Sequence, residues 1–296
     1  MPHMPALHVY QIHYASRQDL DPGFGVLDNS ANERPDWFEY WPIRRYLQSA
    51  ALDEDAFYGF LSPKFRLKTN LTSAGLREFV DAAGPADVFL FSPSIQNSAY
   101  FLNVFEHGEA EHPGLMGTAT RLFERIGRPG TLEHLVSDSN NTVHSNYFIA
   151  KPRFWRAWLA VTEALYAIAE APDDPLGKEL RAPTSYRGQT NVQMKIFIME
   201  RIATWIISTD RSFIARVRDP FVARSRSYKL PVAIICDALK IAYLAEGRAQ
   251  YKEVFHLVSG LRKYLNAQLR AGDWLGLRRV RPYLESLRSH WREGER

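Results

Sequence analysis

The chain has 296 residues, of which 46% are hydrophobic and 24% charged, with a formal net charge of +4. That length holds one large domain, or one domain with an extension, and the composition excludes a disordered or collagen-like chain. Its single cysteine, Cys236, excludes an internal disulfide and any multi-cysteine zinc site.

In chain order, LHVYQIHYA (Leu7 to Ala15) reads as a first strand, because β-branched and aromatic residues alternate with Gln11 and His13 on one face. The turn-rich DPGFGVLDNSANERPDW should form a long loop, and Trp37 to Ala50 a helix entered near Pro42. FYGFLSPKF (Phe57 to Phe65) reads as an aromatic strand. TSAGLREFVDAAG is a helix capped by Thr72 or Ser73 and stopped by Gly84, and DVFLFS (Asp87 to Ser92) is a buried strand. Helices are expected from Asn97 to His107 and from Ala119 to Ile126, followed by a strand in HSNYFIAKP. The apolar helix Phe154 to Ala171 ends at Pro172, a loop runs to about Gln193, Met194 to Thr209 is helical, and FIARVRD is a last strand. The alternation predicts an α/β fold with a mostly parallel sheet.

From Tyr228 onward every segment, including GLRRVRPYLESLRSHW, has helical spacing. Residues 221–296 hold 15 Lys and Arg against 7 Asp and Glu, whereas residues 1–220 hold 22 against 26. Two domains follow: an α/β domain over 1–220 and a basic α-helical extension over 221–296. In the extension, basic residues alternate with apolar ones as they do in packed helices, and no nucleic-acid module is present, so nucleic acid is not an expected partner. No apolar run reaches the roughly 18 residues of a membrane span, and the first residues lack a basic segment followed by an apolar one; a cytoplasmic protein is expected.

P-loop, GxGxxG, GxSxG and kinase signatures are all missing, which argues against an NTPase, a nicotinamide enzyme and an esterase. Gln11, His13 and Tyr14 stand at the end of strand one, where an open α/β sheet receives a nucleotide. Asn29 belongs to a loop dense in carboxylates and amides, and Lys64 and Lys68 follow the second strand, where they can meet phosphate. HGEAEH gathers His107, Glu109, Glu111 and His112 in a spacing that matches no zinc motif and reads first as a sugar-facing polar loop. Cys236, in VAIICDAL, reads as a buried thiol.

Four segments in order, EYWPIRRYL with YGFLSPKF, then DVFLFSP, then SNYFIAKPRFW, then MERIATWI, resemble bacterial capsular and lipopolysaccharide glycosyltransferases of the GT-A type. The resemblance spans about residues 7 to 215. It implies a nucleotide-sugar donor, a glycan or lipid-linked acceptor, sugar contacts from Ser145 and Asn146, and Glu200 as a base, with His107 and Glu109 as further catalytic candidates. Such enzymes carry an Asp-x-Asp that holds a metal against the diphosphate. This chain has Ser92, Pro93 and Ser94 there, which leaves metal dependence open and keeps a non-catalytic binding protein on the same fold as an alternative. The basic extension would serve as a homodimer interface or as a peripheral contact with the inner membrane.

Overall fold

The computed structural model describes residues 5–14, 19–93, 98–128, 130, 132–186, 189–219 and 229–270. The chain divides into two compact units, residues 1–224 and residues 225–296. The first is built on β1 (Leu7–His13), β2 (Gly25–Asp28), β3 (Phe57–Leu61), β4 (Val88–Leu90), β5 (Phe148–Ala150) and β8 (Ala215–Val217). They form a six-stranded sheet in the order β2-β1-β3-β5-β4-β8. All neighbours are parallel except β5, which runs antiparallel to both β3 and β4. The expected α/β class with a mostly parallel sheet is therefore present. Its one reversed strand brings the amino end of β5 to the edge where β1, β3 and β4 end.

The central strands are buried on both faces and read as continuous apolar runs. Val88, Leu90, Phe148 and Ala150 join a large core on one face, while Phe89, Phe91, Tyr147 and Ile149 face a smaller one. The larger core is covered by α1 (Tyr40–Ser49) and α6 (Pro152–Glu170), the smaller by α2 (Phe65–Thr69) and α3 (Ser73–Ala83). Pro152 starts α6 because its missing N–H is one the helix could not use there. Phe154, Trp155, Trp158, Val161 and Leu165 then form a buried stripe at helical spacing, and the Trp155 indole donates to Tyr58 O at 3.0 Å. At α3, Thr72 is the cap and accepts from Gly75 N, and Gly84 at φ 76° closes the helix. β3 and β5 approach so closely that a Cβ on Gly59 would lie 2.4 Å from Ile149 Cγ2.

Several elements differ from the sequence expectation. GVLD pairs with β1 as β2 inside the stretch read as loop, held by ladder bonds instead of its weak exposed pattern. SPKF leaves the strand early, since Phe65 N bonds Ser62 O and starts α2. The helix expected to begin at Asn97 begins at Val104, because Asn103 Oδ1 accepts from both Phe105 N and Glu106 N and caps α4 (Val104–Glu111); Asn97 itself lies outside the described residues. HGEAEH is thus mostly the last turns of α4, not a loop. α5 (Leu115–Arg125) follows it, and α7 (Pro175–Arg181), with a β6 (Pro183–Tyr186) and β7 (Gln189–Gln193) hairpin, occupies the expected long loop.

The helix expected over Met194 to Thr209 is two: α8 (Met194–Met199) and α9 (Ile202–Thr209). Arg201 explains the break. Its guanidinium donates to Phe197 O, a carbonyl an unbroken helix would use, and to Val104 O, while Arg201 N tightens onto Ile198 O. Glu200 is left at the corner. The second unit contains α10 (Lys229–Glu246) and α11 (Ala249–Arg270), with Cys236 buried as expected; GLRRVRPYLESLRSHW lies outside the described residues. Among the described residues, no helix is long and apolar enough to cross a membrane.

Candidate active site

Carboxyl ends of parallel strands are where an open α/β sheet offers a cleft, because the connections diverge there. At that edge lie Tyr14 after β1, Ser62 after β3, and His144 to Tyr147 before the reversed β5. Tyr147 OH and Ser62 Oγ share a hydrogen bond of 2.6 Å, tying β5 to β3. Lys68, reaching from α2, donates to Ser145 Oγ at 3.1 Å and places its ammonium 5.4 Å from the Tyr147 ring centre.

Two carboxylates enter this edge from opposite sides in sequence. Glu39, just ahead of α1, accepts from Asn146 Nδ2 at 3.4 Å, and Glu200 occupies the corner between α8 and α9. Both are half-buried yet surrounded by protein, which is the situation of a side chain at the floor of a cleft. Burial pushes the Glu39 carboxyl up to about 7, helped by the charge of Glu200 and opposed by Asn146 and Lys68. Burial also raises Glu200, against Arg201 and Lys68. The same burial, with Glu39 nearby, raises the Tyr14 and Tyr147 phenols.

An ionic network holds the two carboxylates in place. Lys195, only 1% exposed, donates to Asp36 Oδ2 at 2.7 Å and lies 3.9 Å from the Trp37 ring centre. Arg34 grips Asp36 at 2.9 Å and reaches Glu170 on α6 at 2.7 Å. Lys195 precedes Glu200 on α8 and Asp36 precedes Glu39, so this clamp fixes the segments that carry both acids. Backbone strain collects here too. Phe38, immediately before Glu39, has φ 47°, and Ser145 and Asn146 have φ 58° and 53°. Such left-handed residues other than glycine cost about 1–3 kcal/mol each and persist where the surroundings fix them.

Of the residues singled out in the sequence, Tyr14, Lys68, Ser145, Asn146 and Glu200 come together in this cluster. His107 borders it: its ring is 6.1 Å from that of His144, whose Nε2 is 3.0 Å from Ser98 Oγ. Gln11 is buried and serves the scaffold, accepting from Asp21 N at 2.7 Å and donating to Ser62 O at 3.4 Å. His13 stands 3.5 Å from Asp28, and buried Asn29 donates its N–H to His13 O. Lys64 is exposed at the start of α2. Glu109 is engaged elsewhere, accepting from Gly114 N at 2.9 Å and Met116 N at 2.8 Å at the start of α5. His112 stacks on Phe197 at 3.6 Å.

Glu39 is the residue sequence reasoning passed over. Its signal was there: a carboxylate between aromatic residues in WFEYW is poorly suited to a solvated helix face. Two cavities of about 200 and 610 Å³ lie away from the carboxylates, the first beside Tyr10 and Gly25 and the second under Phe57 and Phe89 at the opposite ends of the strands. Neither gathers groups able to exchange a proton with a ligand as the carboxylate cluster does. Among the described residues, no three His, Cys, Asp or Glu side chains are grouped to hold a metal ion. No family model, curated protein or solved structure matches the chain.

Proposed function

We propose that the protein is a glycosyltransferase of GT-A type that moves a sugar from a nucleotide-activated donor to a surface-polysaccharide acceptor. The observation that carries this reading is the meeting of Glu39, Glu200, Asn146 and Lys68 at the carboxyl edge of a mostly parallel sheet. Transfer needs a base for the acceptor hydroxyl and positive charge for the departing diphosphate. A carboxylate whose proton affinity sits near neutral pH suits the first task, and Glu39 and Glu200 are the candidates. Lys68, exposed and anchored on Ser145, suits the second.

The metal of this enzyme class has no matching donors where β4 ends, since Ser92 and Pro93 follow it, and no step here is assigned to one. In the acceptor attack, the hydroxyl gives its proton to a carboxylate, its oxygen bonds the anomeric carbon, and the bond to the nucleotide breaks with its electrons kept by the diphosphate. Asn146 holds the sugar. The helical unit, which exposes Val254, Leu257 and Leu261 at three- and four-residue spacing, is assigned contact with the membrane face bearing lipid-linked acceptors, or with a second copy; vesicle flotation separates the two.

A panel of nucleoside diphosphates and nucleotide sugars tests the reading by thermal denaturation. A ligand that binds only the folded state stabilises by about 2.7 kcal/mol at a hundred times its Kd. At least one member of the panel should raise Tm at millimolar concentration, and a panel without effect refutes the proposal.

A further inference from the structure

Polar groups removed from water normally find partners, and those without one point to a missing ligand, water or ion. In the carboxylate cluster the missing partners are all of one kind. Asn146 is 6% exposed, and its Oδ1 is buried with no hydrogen bond, although the same amide donates through Nδ2 to Glu39. That single long bond, at 3.4 Å, is the only hydrogen bond Glu39 receives from the described residues, and Glu200 receives none. The cluster offers three acceptor groups and lacks donors.

Charge narrows the ligand further. Lys68 acts on both carboxylates. Arg201 acts on Glu200 but is balanced by Glu111 and spends its donors on backbone carbonyls. Two carboxylates against one lysine leave one negative charge. A primary ammonium carries one positive charge and three donors, which matches both the deficit and the number of acceptor groups. A divalent cation overshoots that charge and favours six or more oxygen ligands.

We propose that Glu39, Glu200 and Asn146 Oδ1 form a subsite for a primary ammonium group, which on the transferase reading belongs to an amino sugar in the donor or the acceptor. The Tyr14 and Tyr147 phenols, close enough to feel the Glu39 charge, wall the subsite.

The test is calorimetric titration of the whole chain at neutral pH with methyl glucosaminide, methyl glucoside and methyl N-acetylglucosaminide. Hydrogen bonds to charged groups contribute about 1.5–3 kcal/mol, so the free amine should bind roughly 10- to 100-fold more tightly than the other two. Lys68→Met, an exposed change, should tighten amine binding and weaken binding of a nucleoside diphosphate. Glu200→Gln should remove the preference for the amine. Equal affinity for the three glycosides, or binding of Mg²⁺ that excludes the amine, overturns the subsite. A nucleoside diphosphate that binds while the amine preference is absent overturns the subsite alone. Amine preference without nucleotide binding supports the subsite and counts against the transferase.

Discussion

Glu39 and Glu200 carry a cost that only function explains: two half-buried carboxylates in each other's field with one long hydrogen bond between the first and Asn146. The cost has a pH signature. The Glu39 carboxyl is raised from 4.5 to about 7 on folding, so its favourable contribution is complete below pH 4.5 and lost as pH rises through 7. Relative to Glu39→Gln, the native chain should therefore lose on the order of 3 kcal/mol between pH 4.5 and 7, with a flat difference above. Chemical denaturation of both proteins across that range checks this, and a difference that grows with pH above 7 contradicts it. Glu39→Gln and Glu200→Gln should also each lower transfer by about 10²–10⁴-fold while Tm at pH 8 holds or rises; an accompanying fall in Tm would mark a merely structural role. Glu200, Asn146, Ser145 and Lys68 were legible because each stands next to a strand end or a marked helix. Glu39 was not, because it reaches the site through the fold of the loop before α1, where the strained Phe38 turns the chain.

At the scale of elements, the corner between α8 and α9 sets where Glu200 stands, and Arg201 sets the corner. Gly108 lets that guanidinium cross α4: a Cβ there would lie 2.6 Å from Arg201 Nε. Gly108→Ala should displace Arg201 and lower activity at least tenfold, with a stability loss of about 1–3 kcal/mol typical of overpacking; rates and denaturation midpoints on one preparation measure both. Gly59→Ala, pressed against Ile149 where β3 meets β5, should destabilise by a similar amount without altering the pH dependence that belongs to Glu39. Elements with strong local signals were legible: β1, α3 with its Thr72 cap, β4 and α6. Elements fixed by remote partners were not. β2 depends on its ladder with β1, the α8 and α9 break depends on Val104 O, and the late start of α4 depends on which Asn caps it.

For the whole molecule, the sheet positions the site and the helical unit lies outside it. Residues 1–224 hold both apolar cores and every member of the carboxylate cluster. A chain ending at residue 224 should unfold cooperatively and keep the Glu39 pH signature; loss of either, by circular dichroism and denaturation, would show that the helical unit is needed to build the site. The class of fold was legible because strands and helices alternate along the chain. The reversal of β5 was not, since three apolar residues carry no mark of direction, yet that reversal brings Asn146 to the edge where β1 and β3 end. The most direct test of the central claim is a crystal of the full chain grown with a nucleoside diphosphate. The diphosphate should lie at the carboxyl edge of the sheet within hydrogen-bonding reach of Lys68, facing Glu39 and Glu200. A nucleotide bound elsewhere, or none at millimolar concentration, would contradict it.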